Sequence, residues 1–172
     1  MIVAAGVLAA AAVSAQRPAF EPVTQQMLED PGPDDWLMYS RTYDAQRFSP
    51  LKQITRENVG QLKEVFKLEF PNGTQESIPL VYRGVMYVMV PPNAVRAIDA
   101  ATGTQIWEHK RPSGNGRAKT LAIYEDMVYW TAPDNMIVAL DAQTGAVRWQ
   151  AKTTGGMTSR AVVGEGQVNT RR

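Results

Sequence analysis

From residue 80 onward, apolar and polar positions fall into short runs separated by Gly, Pro, Asn and Asp. The runs are Leu80–Tyr82, Val85–Val90, Val95–Asp99, Gln105–Lys110, Thr120–Tyr124, Met127–Thr131, Ile137–Asp141, Val147–Thr153 and Arg160–Val163. Segments this short, evenly spaced between turn residues, predict strands of an all-β array. Upstream, Glu64 to Phe70 alternates with Phe66, Leu68 and Phe70 on one face, which predicts one more strand. Thr55 is a candidate N-cap for one or two helical turns ending at Leu62. Prolines 18, 22, 31 and 33 among several acids predict an extended linker from 16 to 35, and the aromatic stretch from Trp36 to Phe48 predicts packing on a larger body. The first fifteen residues are apolar and end in Val13-Ser14-Ala15, small residues that suit signal-peptidase cleavage before Gln16, although no Lys or Arg precedes them.

The strand pattern is also a repeat. Ala97-Ile98-Asp99-Ala100-Ala101-Thr102-Gly103-Thr104-Gln105-Ile106-Trp107 returns as Ala139-Leu140-Asp141-Ala142-Gln143-Thr144-Gly145-Ala146-Val147-Arg148-Trp149. Asp99 to Asp141, Gly103 to Gly145 and Trp107 to Trp149 are each about 42 residues apart, and Tyr82, Tyr87, Pro91 and Asn93 keep the same step to Tyr124, Tyr129, Pro133 and Asn135. A period of this size, with β segments and a Trp at a fixed place, is the pattern of propeller blades. Asp and Thr side chains can hold a tight turn by bonding nearby backbone N–H groups, and Gly supplies its positive φ. The Trp can wedge between neighbouring blades. These residues build architecture and carry no chemistry by themselves.

A third copy opens at Arg160-Ala161-Val162-Val163-Gly164-Glu165-Gly166-Gln167-Val168. The expected fold is therefore two complete β-propeller blades plus the start of a third, an incomplete ring, since closed rings use about four to eight blades. The expected division is a signal peptide at 1–15, a linker and leader at 16–62, and a partial propeller at 63–172. An unclosed array exposes its terminal faces, which suggests a piece of a longer protein or a chain that needs a partner.

Composition narrows the chemistry. A net charge of +1 points to neither nucleic acid nor an acidic membrane as partner. With no cysteine there is neither a disulfide nor a thiolate metal site, and the single histidine, His109, rules out a His-rich metal cluster. His109 reads as an exposed strand-end residue. Gly114-Asn115-Gly116 lacks the third glycine and the following helix of a nucleotide loop.

The leader, with Asp35-Trp36, Tyr43-Asp44, Arg47-Phe48-Ser49-Pro50-Leu51 and Asn58-Val59 to Leu62, followed by the two repeats, resembles the N-terminal part of pyrroloquinoline-quinone (PQQ)-dependent alcohol dehydrogenases. The resemblance implies an eight-bladed propeller holding PQQ beside a calcium or lanthanide ion. It also implies an Asp base, a small alcohol oxidised to an aldehyde, a cytochrome c-type electron acceptor and a periplasmic location after signal removal, with no membrane span. It further implies that Lys63–Phe70 pairs into the last blade, whose other strands the chain lacks.

Transferred one position at a time, the resemblance places cofactor contacts at Glu76, Lys119 and Thr158. Each also has a plain reading: an exposed loop carboxylate, a solvated charge and a turn hydroxyl. Lys119 stands where an Arg is usual, keeping the charge without the bidentate geometry. No catalytic base and no metal ligand is identified in this sequence, so whether the chain is itself an enzyme stays open and inactivity alone is expected. Two other expectations remain. One is a non-enzymatic binding or scaffold propeller like the outer-membrane assembly lipoproteins, whose lipobox cysteine is missing here. The other is a truncated remnant without function.

Overall fold

The computed structural model describes residues 19–71, 77–111, 121–132, 134–152, 161–164 and 167–170. Two four-stranded antiparallel sheets dominate it. Blade 1 is β1 (Leu80–Tyr82), β2 (Val85–Val90), β3 (Ala94–Asp99) and β4 (Gln105–Lys110), hydrogen-bonded in sequence order. Blade 2 repeats that order with β5 (Leu121–Tyr124), β6 (Met127–Ala132), β7 (Met136–Asp141) and β8 (Val147–Lys152). A hairpin of β9 (Ala161–Gly164) and β10 (Gln167–Thr170) begins a third unit. The sheets stand side by side and do not close, which is the incomplete propeller expected from the repeat.

The Asp-x-x-Thr-Gly turn has the same construction in both blades. Asp99 Oδ1 accepts from the Ala101 N–H at 3.0 Å, the Thr102 N–H at 2.9 Å and the Thr102 hydroxyl at 3.0 Å. Asp141 Oδ1 accepts from Gln143, Thr144 and the Thr144 hydroxyl at 3.0, 2.9 and 2.9 Å. Gly103 and Gly145 close the turns at φ +73° and +71°, where any Cβ is strained. Here two short polar side chains replace the backbone bonds that the turn cannot make.

The glycines have a second function. A Cβ on Gly145 would lie 2.6 Å from the Trp107 ring, so the indole of blade 1 rests directly on the turn of blade 2. The Trp107 Nε1–H donates to the Ala142 carbonyl at 3.0 Å, and the Tyr87 hydroxyl donates to the same oxygen at 3.2 Å. This knob-on-turn contact, with Tyr87 and Trp107 ring centroids 6.0 Å apart, joins the blades around one core. Trp149 is packed against Tyr129 in the same way but is 39% exposed, on a strand β8 that is exposed throughout.

Three sequence expectations need correction. Lys63–Phe70 is not a strand: the backbone is extended and Phe66, Leu68 and Phe70 are half-buried in alternation, but among the described residues it joins no ladder. The alternating face is real, yet a strand also needs a neighbour for its N–H and C=O groups. The Phe66 ring nevertheless lies on Gly103 as Trp107 lies on Gly145, with a Cβ there 2.6 Å from the ring. Thr55 caps no helix. Its carbonyl accepts from Val59 N–H at 2.9 Å in a single turn, and only Val59–Gln61 is helical, as a 3-10 segment.

The proline-rich stretch is no free linker either. Val23 pairs with Glu125 at the end of β5, and Val23 and Leu28 are within 2% of complete burial, while in the aromatic stretch Trp36 pairs with Val81 in β1 and Leu37 is buried, the packing expected of it. A short helix, α1 (Gln25–Glu29), capped by Thr24, lies between those bridges. Prolines spaced through a segment exclude long regular structure, but they do not prevent single apolar side chains from filling a core. The expected signal peptide at 1–15 lies outside the described residues. Among those residues no helix is long and apolar enough to cross a membrane.

Candidate functional site

Each blade has two ends, and the leader identifies which is which. Ala100 N–H bonds Gly84 O and Ala142 N–H bonds Asp126 O, so the β1–β2 and β3–β4 turns, and their blade 2 counterparts, share one end. The leader crosses that end: Tyr82 donates its hydroxyl to Glu21 O at 2.9 Å while Val23 pairs with Glu125. The C-terminal ends of β1 and β5 therefore lie together, and both strands start at the opposite end. β9 lies beside β5, where Val163 packs with Ala122 and Tyr129 and its carbonyl accepts from the Tyr43 hydroxyl at 3.1 Å.

Glu76, Lys119 and Thr158 all lie outside the described residues, so the structure neither brings them together nor separates them. It does establish where the chain emerges from each. They stand four, two and three residues ahead of β1, β5 and β9, the first strands of three successive units.

The described side chains at that starting end form a network that sequence reasoning missed. Arg111, just past β4, donates through Nε and Nη2 to Asp134 Oδ2 at 3.0 and 2.6 Å and through Nη1 to Gln150 Oε1 at 3.1 Å. Asn93, 6% exposed, accepts the Arg111 N–H on its carbonyl at 3.1 Å and donates its side-chain amide to the Arg111 carbonyl. Asp134 Oδ1 is buried without a hydrogen bond. One arginine thus ties the end of blade 1 to a turn of blade 2. The signal available in the sequence was the Asn93–Asn135 recurrence at turn positions; Arg111 itself is not repeated, since Thr153 holds the corresponding place.

His109 is not an exposed strand-end residue. It is half-buried between the blades, its ring edge-on to Trp130 at 6.4 Å. Burial, and then the nearby Arg111 charge, push its pKa down, while a bond to the Gly145 backbone opposes them. Burial pushes the Tyr129 hydroxyl up to about 12, helped by Glu125 and Asp126. Burial also pushes Asp141 up, but bonds from Thr144, Gln143 and Arg148 outweigh it and hold the carboxyl low. None of these groups forms an acid–base pair. Among the described residues, no group of three or more His, Asp or Glu side chains could hold a metal ion.

Comparison with known proteins agrees with this architecture. Residues 36–122 match the family model described as "PQQ: Glucose/ethanol/alcohol dehydrogenase, beta-propeller domain". The dehydrogenase subunit of the quinone alcohol dehydrogenase of Komagataeibacter europaeus is 47% identical over 88 residues, which is 50% of this chain and 12% of that protein. The solved quinohemoprotein alcohol dehydrogenase ADHIIG of Pseudomonas putida HK5 superposes with a TM-score of 0.76 at 32% identity, covering 87% of this chain and 25% of that one. A europium-containing methanol dehydrogenase superposes at 0.74 and 28% identity, covering 84% and 28%. The chain thus spans roughly an eighth to a quarter of the length of these relatives. With the leader from Trp36 onward and the first blade inside the matched region, the chain belongs to the β-propeller family of the PQQ-type glucose, ethanol and alcohol dehydrogenases.

Proposed function

We propose that this chain is the N-terminal portion of an exported PQQ-dependent dehydrogenase that oxidises alcohols to aldehydes, and that it is inactive by itself. The observation that carries this reading is the match of residues 36–122, which takes in the leader from Trp36 onward and the whole of blade 1. The small share of each relative that the chain covers supports the second half of it. Residues 1–15 would be the signal peptide, residues 16–62 the leader and 63–172 the partial propeller of a periplasmic enzyme. A small alcohol would be its substrate and a cytochrome c-type protein its electron acceptor.

Glu76, Lys119 and Thr158 would contact the cofactor. Their chemistry suits a carboxylated quinone: an ammonium and a hydroxyl for its oxygens, and a carboxylate to accept from a ring N–H. Three successive units each place one candidate just before their first strand, and β1 and β5 start at the same end. That is a reason for the candidates to face one ligand. The Arg111–Asp134 bond would hold the two blades in register at that end. When bound, PQQ with its calcium or lanthanide ion would supply the acceptor for the hydride, which carries both electrons, leaving the alcohol. The metal ligands and the base would come from outside this sequence.

The test is the intact mass of the native protein, detected with an antibody raised against residues 16–60. A species several-fold heavier than this chain, with alcohol-dependent dye reduction that requires PQQ, is expected. A stable native species near the mature mass of this chain, or alcohol oxidation by the purified chain supplied with PQQ and calcium, would overturn the proposal.

A further inference from the structure

The two blades are close copies, so a place where they differ in shape is informative. In blade 2 the end that carries the Asp-turn is covered by long side chains. Arg148 bonds Asp141 Oδ2 through Nε at 3.0 Å and Asp126 Oδ2 through Nη2 at 2.6 Å, laying its guanidinium across the sheet end. The equivalent positions of blade 1 are Ile106, Asp99 and Gly84. No arginine reaches across there, and Gly84 has no side chain to meet one. Instead a cavity of about 380 Å³ opens between blade 1, the docked turn of blade 2 and the leader.

Its apolar walls are Phe20, Tyr82, Val85, Tyr87, Ile106 and Ala142, and Asp99 and Gln143 also line it. The polar atoms deep in these walls are already engaged, since the Tyr82 hydroxyl donates to Glu21 O and the Tyr87 hydroxyl to Ala142 O. The interior therefore offers mainly apolar and aromatic surface, and Asp99 Oδ1 in the lining already accepts three bonds within its own turn. At the rim the Glu21 carboxylate and the Arg83 guanidinium form a half-exposed ion pair, with the guanidinium 5.6 Å above the Tyr82 ring. That pair presents one acceptor and several donors side by side, which a hydroxyl can use together. A charged head would have to compete with one partner for the other. The volume lies within the range of small-molecule sites, which are mostly apolar with a few placed polar groups.

We propose that this cavity binds a small uncharged amphiphile, a single ring or short alkyl chain bearing a hydroxyl. Its apolar body would lie between Tyr82, Val85, Tyr87 and Ile106, and its hydroxyl at the Glu21–Arg83 pair. The site is at the end of the blades opposite the starts of β1 and β5, so it is separate from the candidate cofactor contacts and does not depend on them. The leader closes it, so binding ties residues 19–21 to the two blades.

The experiment uses the full chain, labelled with 15N, titrated with benzyl alcohol and, in parallel, with benzoate and benzylammonium. Saturable shifts of the Gly84, Val85, Ala101 and Ala142 amides are expected with benzyl alcohol, and at least tenfold weaker binding of both ions. Ile106→Arg, which puts a long cationic side chain beside Asp99 and into the cavity, should abolish the shifts. Ala101→Phe, at an exposed position of the rim, should weaken them at least tenfold without affecting the fold. Non-saturable shifts, shifts at other amides, equal binding of the ions, or undiminished binding by a folded Ala101→Phe variant would each overturn the proposal.

Discussion

Replacing Gly145 by Ala tests the docking contact between the blades, because the two costs of that change can be separated within this chain. The first cost is conformational. At φ +71° an L-residue pays about 1–2 kcal/mol for the left-handed region. The second is steric. The new Cβ would lie 2.6 Å from Trp107 Cε3 and 2.7 Å from Cδ2, so the indole must move away from a carbonyl it bonds at 3.0 Å. Overpacking of this kind costs about 1–3 kcal/mol.

Gly84 is the internal control. Its φ is +75°, and a Cβ there meets nothing within 4 Å, so Gly84→Ala carries the first cost alone. The expected totals are about 2–5 kcal/mol for Gly145→Ala and about 1–2 kcal/mol for Gly84→Ala. In urea, with a slope of about 2 kcal/mol/M, the difference separates the two midpoints by about 0.5–1.5 M. In a Trp107→Ala background the excess should vanish, since the clashing ring is gone. If the two glycine variants melt together, or if the excess survives Trp107→Ala, the docking argument is wrong.

Other outcomes follow from the same coordinates. Asp141→Ala removes the acceptor of three bonds that organise its turn and should destabilise by about 1–3 kcal/mol, with Asp99→Ala similar; equal stability to the parent chain in thermal melts would refute the equivalence of the turns. His109 is held below its ordinary pKa by burial, so the unfolded chain binds its proton first. Stability should therefore fall as pH drops below about 6.5, and His109→Gln should flatten that limb of a denaturation profile measured against pH. Tyr129 titrates near 12 when folded and near 10 when unfolded, so its share of stability is full below pH 10 and lost between those values. Burial also raises Tyr82, so tyrosinate absorbance during an alkaline titration should show late titration that loses one group in Tyr129→Phe.

The blades were legible because their determinants are local. Asp99, Thr102 and Gly103 lie within five residues of one another and form their turn without outside help, and short apolar runs bounded by turn residues name the strands of the blade. The repeat then identified Trp107 and Trp149 as the same part. The leader was harder to read. Val23, Leu28 and Leu37 follow neither a helical nor a strand period, yet all three are buried in the core that the blades supply. Prolines mark the segment as irregular, which reads as an extended linker, but irregular backbone can still place single side chains in a core. The Arg111–Asp134–Gln150 bond was equally invisible, since its members are 23 and 39 residues apart and break the repeat.

What the sequence determines by itself is therefore the blade: turn, strands, period, and a large ring on each fourth strand. What the tertiary structure decides is how each blade's open faces are met. Trp107 is covered because a second Asp-turn stands where it points, whereas Trp149, on a strand of the same kind, remains partly exposed. Phe66 docks on Gly103 from a segment that joins no ladder among the described residues, although its exposure alternates regularly. Periodicity specifies which side chains face one way, but burial and hydrogen bonding need a second surface, and only the folded chain supplies it.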